Sequence, residues 1–438
     1  MNILRQPTGI HKLVCGLFMF LFCTTASAQK YVGGDISMLP YYEQKGATYY
    51  SHDREPINDL ITYSKEEGWN AMRVRLFVNP TKQTTNSSDP YTWSSDDNVC
   101  QDLEWVKTLG KRIKDAGMKF MLDIHYSDTW ADPGKQWTPE AWASLSDDAL
   151  ATKVYDYTID VLTQLKNAGA EPDFVQTGNE ISYGMLWGRP NSTLYQCWPS
   201  SSTTNWTRFT KLLSKATQAV RTTTPSAKII LHVERVSTSQ QKDNTGYAAL
   251  TNFYNQMTAA KIDYDIIGLS YYPYFHGAMS ELDGAIRKLE ASYPSKKIML
   301  VETGYPCAWA VPGSTYDTSK TWAYNDAGQK AYTDSLVTIL NKHSNVNGLF
   351  WWWPEYNAKG TSLSGWYNAP LFDSRTGYAT SALSEMKKFL STTNGINTIK
   401  NADSRDKDEN YYTLSGQRVG KPGSGVYIHK GKKVIERK

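Results

Sequence analysis

The sequence predicts an α/β fold, a (β/α)8 TIM barrel with a small C-terminal β-rich appendage. Three observations carry that expectation. Eight short apolar runs alternate with stretches of helical spacing, and strands apolar on both faces that alternate with helices are parallel strands covered by those helices. The runs end in polar residues on their C-terminal side, which in a barrel all converge on one rim. The chain has 438 residues, enough for a barrel of ~250 residues or more and an additional piece.

Residues 1–28 are expected to be a secretory signal peptide. Arg5 and Lys12 precede the apolar run Leu13–Cys23, and Ala26-Ser27-Ala28 forms a small-residue cleavage site before Gln29. That run is too short to span a bilayer permanently, and no later stretch is apolar enough to do so. Lipid attachment at Cys23 is the rival reading, disfavoured by the bulky Phe22 before it. The mature protein is therefore expected outside the cytoplasm, in the periplasm, at the cell surface or in the medium.

The barrel is expected over 29–391. Its first strand, 31–37, carries Asp35 near its end, and Pro56 is placed to open a helix that stops at Gly68. In 70–80, Met72, Val74 and Leu76 alternate with Arg73 and Arg75. Two arginines on one strand face need carboxylates or an open cavity to meet. A helix over 99–116 closes at Gly117 and one over 148–168 at Gly169, each glycine a C-terminal cap. Strands over 119–125 and 173–178 follow these helices and deliver His125, then Asn179 and Glu180, to the rim. Helices over 205–224, 247–260, 280–293, 325–342 and 376–390 alternate with strands over 228–232, 265–271, 297–302 and 348–352. These strands end at His232, Tyr271, Glu302 and Trp352. Residues 392–410 form a polar, charge-mixed linker. Residues 411–438 are punctuated by glycine and read as two or three short strands, too few to be stable alone.

Composition narrows the partner. The net charge of +4 is concentrated in the C-terminal tail, so the body is mildly acidic and nucleic acid is not expected. Fifteen Trp and 29 Tyr suit either a large aromatic core or the flat apolar faces that grip sugars. The longer loops carry Trp93, Trp130, Trp137, Trp142, Trp187, Trp309, Trp322 and Trp366, which are expected to wall a cleft. After the leader only Cys100, Cys197 and Cys307 remain. They allow at most one disulfide and match no zinc spacing.

Glu180 follows the fourth strand and Glu302 ends the seventh, so a small barrel sets them on opposite sides of its mouth. Two carboxylates so placed can divide labour: one protonated to donate to a leaving oxygen, one ionised to attack carbon. A separation of about 5–5.5 Å would mean retention, a wider gap inversion. The bland alternative is a buried strand-end carboxylate at Glu180 paired with Arg73 or Arg75.

The motifs Gly34-Asp-Ile-Ser37, Arg73-Val-Arg-Leu-Phe-Val-Asn-Pro80, His125-Tyr-Ser-Asp-Thr-Trp-Ala-Asp-Pro-Gly-Lys-Gln136, Gly178-Asn-Glu-Ile181, Ser270-Tyr-Tyr-Pro273 and Val301-Glu-Thr303 together resemble glycoside hydrolase family 53, the endo-β-1,4-galactanases of a large clan of retaining (β/α)8 glycosidases. The resemblance implies Glu180 as general acid/base and Glu302 as nucleophile. It also implies Asn179 on the sugar 2-hydroxyl, Arg75 holding the nucleophile ionised, Tyr271 or Tyr272 touching it, and Trp352 as the floor beneath the sugar. Asp35, His125, Asp128, Trp130 and His276 match positions lining the cleft, and His232 is a further candidate. Simpler roles stand beside these: Asp128 and Asp132 capping a loop, His232 as a satisfied core histidine, and Tyr272 facing the barrel wall.

This sequence departs from the family pattern in three places. Glu355 falls two residues later than the usual glutamate after the eighth strand, and Val233-Glu-Arg-Val236 replaces the usual stretch after the fifth. The seventh loop lacks the run some relatives use to hold calcium, leaving only Asp317 and Asp326. No metal or cofactor is required, and structural calcium finds no support in that loop. The expectation is a monomeric, exported endo-glycosidase whose partner is β-1,4-galactan. The alternatives are another endo-β-1,4-glycanase of the clan, acting on mannan, xylan or cellulose, or a non-catalytic glycan-binding barrel.

Overall fold

The computed structural model describes residues 29–80, 98–197, 203–240, 247–356, 369–391, 411–413, 418–420, 422–429 and 432–436. The expected leader with Cys23, the linker, Trp93 and Trp366 lie outside the described residues. The chain divides into two compact units, Met1–Thr392 and Thr393–Lys438.

The first unit is a closed barrel of eight parallel strands: β1 (Tyr31–Asp35), β2 (Ala71–Leu76), β3 (Lys119–Ile124), β4 (Phe174–Thr177), β5 (Lys228–Val233), β6 (Ile266–Tyr271), β7 (Lys297–Thr303) and β8 (Val346–Trp352). Closure is made by β1, which pairs with β8 through Tyr31↔Gly348 and with β2 through Gly33↔Ala71. Gly33 permits this approach: a Cβ there would stand 1.9 Å from the Ala71 carbonyl oxygen. The helices between strands are α1 (Leu60–Glu66), α2 (Leu103–Asp115), α3 (Asp147–Asn167), α4 (Thr203–Thr223), α5 (Ala248–Ala259), α6 (Met279–Ser292), α7 (Asp326–Leu340) and α8 (Ser381–Glu385). Asp102, Ser146 and Asn325 cap α2, α3 and α7 by accepting from backbone N–H groups in the first turn.

Several boundaries differ from expectation, among them the expected helix over 99–116, which starts only at Leu103 after its Asp102 cap. Pro56 does not open a helix: Pro56–Ile57 pairs antiparallel with Tyr49–Tyr50. α1 instead starts after Asp59, whose Oδ1 accepts from Ile61 N–H. A side-chain cap there satisfies an orphan donor, which proline cannot do. The last helix is also shorter than its periodicity suggested, with Ser381–Glu385 passing into the tighter 3-10 turns of Met386–Leu390.

Alternation along the strands builds two cores. Residues facing outward, such as Val74, Leu122, Leu231 and Leu300, pack under the helices. Inside, Ala71, Met121, Phe174, Ile230, Ile266, Met299, Val301 and Phe350 plug the barrel. Further along the same inner faces the residues turn polar. Arg73, Asp123, Gln176, His232, Ser270 and Glu302 are all buried there. No helix among the described residues is long and apolar enough to cross a membrane. In the second unit, β9 (Tyr411–Tyr412), β10 (Arg418–Val419), β11 (Gly425–His429) and β12 (Lys432–Glu436) form a four-stranded sheet in the order β10-β9-β11-β12.

Candidate active site

The chain leaves β4 through a forced turn. Gly178 has φ +101°, and Glu180 is left-handed at φ +46°, a conformation that is strained for a residue with a side chain. Gln136 donates to the Asn179 carbonyl at 2.8 Å and holds the turn from the β3 loop. The reversal swings Asn179 and Glu180 over the barrel mouth. Asn179 is then clamped, with Oδ1 accepting from Arg73 at 2.9 Å and Nδ2 donating to Ala131 O at 2.8 Å.

Arg73 is the electrostatic centre of the site. Its guanidinium pairs with Asp35 at 2.9 Å, Asp123 at 2.7 Å and Glu302 at 2.8 Å. The arginine facing the candidate nucleophile is thus Arg73, not Arg75. Arg75 pairs with Asp35 at 3.2 Å, and its guanidinium lies 4.5 Å from the Trp130 ring centre and 4.8 Å from that of Trp353. Both arginines share one strand face, but Arg75, nearer the rim, is drawn sideways by the two indoles. Spacing alone could not separate them.

Glu302 is aimed by an irregularity in β7. Against β6 the register runs Leu269↔Leu300 and then Ser270↔Glu302, and against β8 it runs Leu349↔Leu300 and then Trp351↔Thr303. One extra residue, Val301, is accommodated relative to both neighbours, and a bulge of this kind re-aims the side chains that follow. Glu302 Oε2 accepts from the Tyr272 hydroxyl at 3.0 Å. Tyr271 points the other way, donating to Gly277 O at 2.8 Å within the outer core.

The two carboxylates differ in surroundings. Glu180 Oε1 accepts from Ser270 Oγ at 2.7 Å, and no cation pairs with it among the described residues. Burial, then the charges of Glu302 and Glu234, push Glu180 well above the usual carboxylate range. Burial also raises Glu302, but Arg73 opposes it, and the group reaches only about 7. The arrangement favours a proton on Glu180 and a charge on Glu302. One oxygen of each lies within 4.8 Å of the other and of a His232 nitrogen. That trio has ligand chemistry for a cation, but both imidazole nitrogens are engaged, Nε2 by Ser270 at 2.7 Å and Nδ1 by Gln176 at 3.0 Å.

Above the carboxylates opens a cavity of about 550 Å³. Of the candidate residues it is lined by Asn179, Glu180, Arg75, His125, Trp130, Tyr272, His276, Glu302 and Trp352. Others sit behind the wall. Asp35 is fully buried between the two arginines. His232 is fully buried beneath Glu180. Asp128 accepts from Glu140 N–H and caps its own loop. His276 accepts from Tyr272 N–H at 3.0 Å, and burial with nearby Arg235 pulls it down to about 3, so it is neutral.

Of the described tryptophans expected to wall the cleft, only Trp130 lines the cavity. Trp142 and Trp187 are buried, and Trp322 packs edge-to-face with Tyr305 and Tyr332. Long loops need anchors of their own, and these rings supply them. Glu355 turns under Met38 N–H at 3.0 Å and is fully buried. Asp317 and Asp326 serve separate turns, accepting from Ser319 and Ser381.

Sequence reasoning missed Arg73 as the partner of Glu302, Ser270 as the partner of Glu180, and the lining residues Asp132, Lys135, Glu234, Arg235, Tyr274 and Phe275. Glu234 and Arg235 did carry a signal, since they directly follow the fifth strand end.

The family model described as glycosyl hydrolase family 53 matches residues 31–386. An arabinogalactan endo-β-1,4-galactanase of Cellvibrio japonicus is 34% identical over 78% of this chain and 86% of its own length. The solved family 53 catalytic domain of Ignisphaera aggregans superposes with a TM-score of 0.66 at 30% identity, covering 82% of this chain and 96% of that one. A structure of a fungal β-1,4-galactanase gives 0.65 at 28% identity, covering 82% and 99%.

Proposed function

The chain belongs to glycosyl hydrolase family 53 and is a glycoside hydrolase, and from that premise we propose that it is an exported endo-β-1,4-galactanase that cuts pectic galactan or type I arabinogalactan with retention. The single observation that carries the mechanism is the approach of Glu180 and Glu302 within 4.8 Å, one without a cation and the other on Arg73. That close approach of one oxygen from each carboxylate favours the roughly 5–5.5 Å spacing of a double displacement over the wider gap of an inverting enzyme.

Glu302 attacks the anomeric carbon while Glu180 gives its proton to the departing oxygen. Glu180, now ionised, takes a proton from the water that attacks the glycosyl-enzyme, and Glu302 leaves. Arg73 and the Tyr272 hydroxyl stabilise the charge on Glu302 before attack and after release. Asn179, clamped at both ends of its amide, offers a fixed polar edge to the 2-hydroxyl, a contact that strengthens as the ring carbon becomes cationic. Trp352 and Trp130 supply apolar ring faces in the cavity wall. The chemistry asks for no metal or cofactor.

The test is hydrolysis of linear β-1,4-galactan followed by proton NMR, beside β-mannan, xylan and cellulose. Galactan should be cut internally, with the β-anomer appearing first. Glu180→Ala and Glu302→Ala should each fold and lose several orders of magnitude in turnover. First appearance of the α-anomer, or preference for another glycan in the panel, would overturn the reading.

A further inference from the structure

Beneath Glu180 lies a two-link hydrogen-bond chain that the double displacement does not use. Ser270 Oγ, on β6, is 2.7 Å from Glu180 Oε1 and 2.7 Å from Nε2 of His232 on β5. Both supporting residues are fully buried. The far nitrogen of the imidazole, Nδ1, is approached by Gln176 Nε2 at 3.0 Å and by the backbone N–H of Glu180 at 3.3 Å. Two donors on Nδ1 make it an acceptor, so a neutral ring carries its hydrogen on Nε2. Burial and the charge of Arg73 keep the ring neutral. Nε2–H then donates to Ser270 Oγ, and the one hydroxyl hydrogen of Ser270 is left to point at Glu180 Oε1. Asn179 Oδ1 also stands 3.0 Å from Nδ1. In this arrangement Arg73 holds that oxygen in place, and Gln176, with one amide hydrogen on Asp123 Oδ1 at 2.6 Å, gives its other to Nδ1. The opposite tautomer would bond Asn179 but leave the Glu180 amide without its acceptor.

We propose that Ser270 and His232 are positioning residues that pin Glu180 Oε1 as an acceptor throughout the reaction and so confine the catalytic proton to Oε2. The proposal rests on the reading of Glu180 as the acid/base. Among the described residues no group donates to Oε2, and Glu180 lines the cavity, so Oε2 is the oxygen available to the leaving group. An acid able to turn its proton inward to a serine would waste part of its population in an unproductive form. The chain removes that form, because Ser270 has only one hydrogen and His232 fixes its direction. The same donated hydrogen favours the carboxylate that exists between the two half-reactions. The other charged or titratable groups around Glu180 are Glu302 on β7, Glu234 and Arg235 after β5, Asp132 and Lys135 after β3, and Tyr272 after β6. Of these the carboxylates oppose its ionisation, so the hydroxyl works against them.

The experiment uses the full chain on galactan, reading kcat/KM against pH. Loss of the Ser270 hydroxyl in Ser270→Ala should move the alkaline limb upward by about one pH unit and lower kcat at the optimum about tenfold. Ser270→Thr, which keeps a hydroxyl, should restore the limb. Glu180→Gln separates the two readings. If its residual activity lacks the alkaline limb while Ser270→Ala leaves that limb unmoved, the pinning is wrong and the acid/base assignment stands. If Glu180→Gln keeps the limb, the assignment itself fails. Nitrogen NMR of the unmutated protein covers the case in which a variant does not fold. His232 should show a protonated Nε2 and a bare Nδ1, and the reverse pattern would overturn the chain.

Discussion

Glu302 needs two partners to stay charged in a buried site, and they come from different elements. Arg73 reaches it from β2 and the Tyr272 hydroxyl from the end of β6, at 2.8 Å and 3.0 Å. Tyr272→Phe removes one donor and leaves the ring packing intact. The pKa of Glu302, already raised to about 7, should rise further because its charged form loses a hydrogen bond. In the proposed double displacement Glu302 attacks as the carboxylate, so activity should fall as pH drops through that pKa, and a higher pKa carries the acidic limb to higher pH. A bond to a charged group is worth about 1.5–3 kcal/mol, so kcat/KM at neutral pH should drop roughly 10- to 100-fold, with the folded state retained by circular dichroism. The carboxylates themselves were legible in the sequence, because each sits where an apolar run stops. Their partners were not. Arg73 and Arg75 are two residues apart on one face, and only the indoles of Trp130 and Trp353 decide which one turns aside. Tyr271 and Tyr272 likewise differ by one pleat, and the hydrogen bond of Tyr271 to Gly277 O settles which tyrosine faces inward.

At the scale of the element, what places the two carboxylates is irregularity where regular strands end. β4 breaks at Gly178, and β7 accommodates an extra residue at Val301. The first of these can be tested directly. Gly178→Ala puts a Cβ 2.6 Å from Ile181 Cγ2 on a backbone at φ +101°. The cost of forcing a side chain there is about 1–3 kcal/mol, measurable as a lower midpoint in urea. Activity should fall by more than that stability loss explains, because any relaxation of the turn displaces Asn179 and Glu180 from Ser270 and Arg73. An unchanged kcat would show that the turn is scaffolding alone. The order of strands and helices was readable because apolar runs and capping glycines repeat along the chain. Bulge position and helix ends were not, since they depend on which neighbouring backbone is close. Pro56 illustrates this: its φ suits a helix start, but Tyr49–Tyr50 offers an antiparallel partner and Asp59 the better cap.

Across the whole molecule, the described residues of the candidate site all lie within one unit. The sheet closes on itself when β1 pairs with both β8 and β2, so no barrel edge is left to be completed from elsewhere. Every described residue that lines the cavity falls between Arg73 and Trp352, and the family match ends at residue 386. Among the described residues, the four strands between Tyr411 and Glu436 pair only with one another. The separateness of this sheet was visible in the sequence as a change from apolar runs to a polar, charge-mixed stretch, but nothing there gives it a chemical role. A chain stopped after Ser391 should therefore fold with the same near-ultraviolet circular dichroism and keep kcat/KM on soluble galactan within about twofold, since it retains every described residue that lines the cavity or pairs with Arg73. A larger loss on the soluble substrate would mean that the second unit contributes to the cleft itself. A loss confined to insoluble or cell-wall galactan would instead assign that unit to substrate targeting.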